Sequence, residues 1–224
     1  MKFILEETSF LMGKLISISC IYYILGITCE SFYYIKSNNF YSYYKNEEKT
    51  REEFYHEYGR KWFKSGDIGE MDSDGQIRII DRKKDLCKLQ IGEYVSFGKV
   101  EAVLNSCPVV ENVCIYGDSL KSFCVALVSP NQKNLKDLAK KYGKEDLAFD
   151  QMCTDRDVTG SVFREIVNHS KKLKLEKFEI PGAVTVVKEV WTPDNGFLTS
   201  AMKIKRKPIQ DFYQSDINRM YGVS

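Results

Sequence analysis

Between Trp62 and Ser96 the chain reads WFKSGDIGEMDSDGQIRIIDRKKDLCKLQIGEYVS, and this stretch restricts the fold more than any other. Two short apolar runs flank Ser73-Asp74-Gly75. Asp-Gly between strand-like runs predicts a β-hairpin, because the favoured turn needs positive φ at its central positions. The charge cluster Asp81-Arg82-Lys83-Lys84-Asp85 follows, then a β-prone segment, Gly92, and a helix start at Ser96. Asp67 stands just after the small-residue turn Ser65-Gly66, where a carboxylate can accept both hydroxyls of a ribose. Arg82, on the far side of the hairpin, can offer rigid donors to the same diol or to a phosphate. On spacing alone, a solvent-facing hairpin closed by ion pairs accounts for the same residues.

The chain has 224 residues, enough for one large or two small domains. Charge is abundant but balanced, at +2 net, which argues against nucleic acid as a main partner. The seven cysteines form no C-x-x-C pair and are irregularly spaced. That pattern predicts reduced thiols in an intracellular, reducing compartment rather than a disulfide frame or a metal site. His56 and His169 stand alone, so no histidine metal cluster is expected. Asn168-His169-Ser170 matches a glycosylation acceptor by chance, since no secretory signal accompanies it.

Residues 1–39 hold the most apolar run, Leu15–Cys29, bounded by Lys14 and Glu30. A membrane-spanning helix needs about 20 apolar residues, and this run is shorter and carries Ser17, Ser19, Gly26 and Thr28. Glu6 and Glu7 spoil the positive flank of a signal peptide. Three readings stand open: a membrane anchor, a buried helix or strand, or a segment outside the folded domain. Next, Glu47, Glu48, Lys49, Arg51, Glu52 and Glu53 predict a solvated, charge-laced helix.

Downstream the signals are regular. Ser96 is placed to cap a helix with Phe97, Val100, Val103, Leu104 and Cys107 on one face, ended by Pro108. Strands are expected over Glu111–Tyr116, Ser122–Val128 and Ala183–Val187. Helices are expected from Asn131 to Gly143, from about Asp157, and from Pro208 to the end. A three-stranded core with helices is an α+β domain. Lys205, Arg206 and Lys207 read as the solvated start of the last helix.

Trp62-Phe63-Lys64-Ser65-Gly66-Asp67-Ile68-Gly69 resembles the ribose-binding motif of the adenylate-forming superfamily. The run from Asp81 to Ser96 resembles its hinge motif in the long-chain fatty acyl-CoA synthetases, and Trp191–Lys207 their C-terminal lysine motif. The resemblance covers about residues 40–224 and leaves 1–39 unmatched. It implies a remnant of a large N-terminal domain over 40–81, ending in the hinge, and a mobile small C-terminal domain over 82–224. It implies ATP, Mg²⁺, CoA and a fatty acid, used in adenylation and then thioester formation.

Residue by residue, it assigns the ribose to Asp67 and Arg82, the hinge pivot to Lys84, and CoA contacts to Gly92, Glu93 and Tyr94. It assigns adenylation to Lys203 and thioester formation to Lys88. Lys203 suits its task because carboxylate attack on an α-phosphate brings negative groups together, and an ammonium lowers that repulsion. The chain departs from the pattern at Ser200, where the family often has proline. It also lacks the Ser/Thr/Gly-rich phosphate loop and the Tyr-Gly-x-Thr-Glu motif of the large domain, so thioester formation by the chain alone is not expected. The alternative is a non-catalytic remnant that binds nucleotide or CoA, or docks on another synthetase. The resemblance further suggests the endoplasmic reticulum membrane as location.

Overall fold

The structure, a computed structural model, describes residues 4–11, 14–21, 32–36, 42–57, 60–71 and 77–222. It divides into two compact units, Met1–Asp85 and Leu86–Ser224.

In the first unit, β1 (Ile4–Leu11), β2 (Lys14–Ile21) and β3 (Phe32–Lys36) form an antiparallel series. Helix α1 (Glu47–Glu53) follows, capped by Asn46, whose Oδ1 accepts the Lys49 N–H at 3.0 Å. It buries no residue, as its charges require. Strand β4 (Phe54–Glu57) and the long β5 (Arg60–Met71) come next, then β6 (Ile77–Arg82), and β5 pairs with β3, β4 and β6. The expected hairpin is present as the antiparallel pairing of β5 with β6; its tip, Ser73-Asp74-Gly75, lies outside the described residues. Of the apolar run Leu15–Cys29, residues 15–21 are strand and the rest lie outside the described residues. Among the described residues no helix is long and apolar enough to cross a membrane.

The second unit opens with the hairpin β7 (Leu86–Lys88) and β8 (Tyr94–Ser96), which runs straight into α2 (Phe97–Asn105). Ser96 caps that helix as expected, its Oγ accepting the Lys99 N–H at 3.2 Å. A three-stranded sheet follows in the order β11 (Ala183–Val186), β10 (Val125–Pro130), β9 (Val110–Tyr116), with β10–β11 parallel and β10–β9 antiparallel. The mixed α+β class is therefore as the sequence led us to expect.

The central strand β10 reads Val-Ala-Leu-Val-Ser-Pro and is buried throughout, because both its faces are covered. On one face Ala126 and Val128 pack under α2, α3 (Gln132–Lys140), α4 (Phe149–Thr154) and α5 (Arg156–Lys172). On the other, Leu127 and Cys114 pack with Trp191, Phe197 and Leu198, and with Ile209 of α6 (Arg206–Phe212) and Ile217 of α7 (Gln214–Met220).

Two details differ from the sequence reading, and a third, at Ser170, agrees with it. Helix α4 escaped it, being a single short turn-and-a-half with too few residues to show a period. The last helix is two helices broken at Tyr213, with Pro208 inside the first turn rather than at the start. Ser170, the third residue of the glycosylation-like triplet, is fully buried inside α5 and donates to the Ile166 carbonyl.

The five described cysteines are free, and four of them are buried. Burial pushes the Cys124 and Cys153 thiols up to about 12. Since the thiolate is the nucleophile, neither should be alkylated by iodoacetamide at pH 8 in the native protein, and both should be in denaturant. Mass mapping that finds Cys124 labelled in the native state at the unfolded rate would contradict this packing.

Candidate functional site

The predicted site residues fall into groups on both units. In the first unit, Gly66, just before Asp67 in β5, has φ +75, a conformation that favours glycine. Strand pairing sets Asp67 opposite Arg82, and Asp67 Oδ1 lies 3.6 Å from Arg82 Nε. The side chains are 33% and 73% exposed, so solvent screens this ion pair and it adds little to stability. In chemical type the two side chains are an acceptor pair suited to hydroxyls beside a guanidinium fork suited to anions. Lys84 is exposed in the 3-10 turn Lys83–Asp85, one residue before the boundary between the units.

In the second unit, β7 and β8 pair Lys88 with Tyr94. The Lys88 ammonium lies over the Tyr94 ring, 5.3 Å from its centroid, while the side chain stays exposed. The hairpin closes through a tight loop: the Leu89 N–H donates to the Glu93 carbonyl at 2.8 Å, and the Gly92 N–H to the Leu89 carbonyl at 2.9 Å. This is a type I turn followed by a left-handed residue, and Gly92 at φ +90 fills that last place. A side chain there would meet no atom within 4 Å, so within this chain the glycine answers to backbone conformation, not to crowding. The Gln90 N–H donates to the Lys121 carbonyl and ties the loop to the body of the unit. Glu93 is exposed on the same loop.

Lys203 sits on a loop of the same design. The Thr199 N–H donates to the Lys203 carbonyl at 2.8 Å and the Met202 N–H to the Thr199 carbonyl at 2.9 Å. Here Met202 takes the left-handed place at φ 59, at a cost of about 1–2 kcal/mol for a non-glycine residue. Thr199 Oγ1 accepts the Lys203 N–H at 3.1 Å, a second bond that holds the turn without the proline usual in the resembling family. Leu198 bridges Ile204 across the loop, and Phe197 and Leu198 are buried at its base. Asn195 braces the approach, its Oδ1 accepting the Thr192 N–H and its Nδ2 donating to the Val190 carbonyl. Lys203 itself is exposed, on the residue that closes the loop opposite Thr199.

Arg206 corrects the sequence reading. It is not solvated: its side chain is 17% exposed and pairs with Glu101, itself 10% exposed. Glu101 was missed because a carboxylate on an apolar helix face looks like a surface residue until its partner, 105 residues later, is known. Among the described residues no group of three His, Cys, Asp or Glu side chains could hold a metal ion.

No protein-family model matches the chain. Among solved structures, the A domain of carboxylic acid reductase from Segniliparus rugosus, in complex with AMP and a co-purified carboxylic acid, matches with a TM-score of 0.69 and 25% identity, over 85% of this chain and 28% of that one. The fold is thus that of part of an adenylate-forming enzyme. Among curated proteins, Long chain acyl-CoA synthetase 8 of Arabidopsis thaliana is 41% identical over 181 residues, 80% of this chain and 25% of the relative. Long-chain-fatty-acid–CoA ligase 1 of Saccharomyces cerevisiae is 36% identical over 187 residues, 81% of this chain and 26% of the relative. The chain resembles the C-terminal part of long-chain acyl-CoA synthetases, and spans about a quarter of their length.

Proposed function

We propose that this chain serves as the C-terminal part of a long-chain fatty acid–CoA ligase. In that reading Asp67 accepts the ribose hydroxyls of the nucleotide, and Arg82 holds the diol or a phosphate from the adjoining strand. Lys84 is the pivot of a mobile domain running from residue 82 to 224; a long charged side chain can exchange partners as its backbone turns. Lys203 neutralises the carboxylate and α-phosphate as they approach, which lowers the barrier to the acyl-adenylate. Lys88, with Gly92, Glu93 and Tyr94, serves the second step, in which CoA thiolate displaces AMP.

The observation that carries this reading is the likeness to long-chain acyl-CoA synthetases over 181 residues, together with the exposed placement of Lys203 at the closing pair of a braced loop. Free, buried thiols are in keeping with a reducing intracellular compartment.

A direct test grafts residues 42–222 onto the Arabidopsis relative in place of its matching C-terminal part. The chimera should convert oleate, ATP and CoA to oleoyl-CoA. A folded chimera that makes no acyl-adenylate and no thioester would contradict the proposal.

A further inference from the structure

At its C-terminal end the Lys203 loop leads into a partly buried charged side chain, Arg206. Beyond Lys203 the chain is extended, so side chains alternate: Lys203 and Lys205 are exposed, while Ile204 and Arg206 are partly buried. The Lys205 N–H donates to the Phe197 carbonyl at 2.7 Å, and Arg206 then turns inward. Its Nη1 and Nη2 donate to Glu101 Oε1 and Oε2 at 2.6 and 3.1 Å, and Nη1 also donates to the Ile115 carbonyl at 2.9 Å. The guanidinium lies 5.0 Å from the centroid of the Phe97 ring. Glu101 Oε1 in turn accepts the Ile115 N–H at 2.8 Å. Strand β9 is an edge of its sheet, and Ile115 there turns both backbone groups to this ion pair.

Local preference does not explain Arg206. It occupies the first turn of α6, followed by Lys207, where the helix dipole disfavours cations and no acidic residue offsets them. A buried ion pair is also a weak source of net stability, and its best-attested use is to fix register. Register matters here, because a slip of one residue would turn Lys203 inward and Ile204 outward.

We propose that Arg206 is a positioning residue for Lys203: clamped to Glu101 and Ile115, it sets the register of the Thr199–Lys205 segment and so the face on which the Lys203 ammonium is presented. The proposal rests on the role given to Lys203 above. The β7–β8 loop, of the same turn design but tied to Lys121, is held independently of the clamp.

Amide hydrogen exchange on the whole chain tests this without any substrate. The double variant E101L/R206M removes both charges together and leaves no lone buried ion. Its Thr199 and Lys203 amides should exchange at least about tenfold faster, a factor worth about 1.4 kcal/mol of local protection. The Leu89 and Gly92 amides of the other loop, and Leu127 in the sheet, should keep their rates. If Thr199 and Lys203 keep theirs too, the clamp does not position the loop and the proposal falls. A pair that only stabilised the fold would speed all these amides alike, which also overturns it. Should the double variant fail to fold, R206K decides: it keeps a cation for Glu101 but cannot also reach the Ile115 carbonyl in the same geometry, and it should loosen the Thr199 and Lys203 amides alone. Lys203→Ala in the chimera tests the catalytic reading separately, so the two can fail independently.

Discussion

Glu101→Leu alone is expected to lower the free energy of unfolding by about 3–5 kcal/mol, the largest single-site loss outside the apolar core. The carboxylate accepts from Arg206 through both oxygens and from the Ile115 N–H through one. Removing it leaves a guanidinium only 17% exposed without its counter-charge, and takes from an edge-strand amide its acceptor. Desolvated charge without a partner is what makes this costly; the Coulomb energy of the intact pair is not the measure. Urea unfolding of the single and double variants separates these effects. Adding Arg206→Met to Glu101→Leu should recover most of the loss. A single variant within about 1 kcal/mol of the parent would show that the pair is effectively solvated.

Trp191→Ala should cost a comparable amount, about 3–5 kcal/mol, by transfer and cavity terms together. Trp191 is 2% exposed and packs against Phe197 and Tyr213 at centroid distances of 6.3 Å. Its indole N–H also donates to the Tyr213 hydroxyl, which donates to Glu189. This layer covers the sheet face that carries Leu127 and underlies the base of the Lys203 loop through Phe197 and Leu198. The loss should appear in urea unfolding with an unchanged m-value. Phe212→Ala, at a site 59% exposed, is the matched control and should cost far less.

Much of this was legible from sequence where one local rule decides the outcome. Ser96 and Asn131 announced helix starts because a side-chain oxygen can accept an unpaired amide there, and both do so. A strand was expected over Ser122–Val128, and β10 runs over Val125–Pro130, buried throughout. The pairing of Asp67 with Arg82 followed from the hairpin once β5 and β6 were placed. What stayed hidden depends on partners distant in sequence. Glu101 and Arg206 each look solvated alone and become one buried unit only when α2 meets α6 across β9. The positive φ of Met202 left no mark either, since its residue type gives no hint of a left-handed turn. Gly92 did leave one, and its geometric reason proved to be the turn itself.

The central claim is that Lys203 serves acyl adenylation. It is tested most directly by introducing Lys203→Ala into the chimera and measuring the two half-reactions separately. Pyrophosphate exchange driven by oleate should fall by at least about 100-fold, on the scale of losing one electrostatic stabiliser of a transition state. Oleoyl-CoA formation from added oleoyl-adenylate and CoA should stay near the parent rate. Equal loss of both half-reactions, or full retention of pyrophosphate exchange, would contradict it.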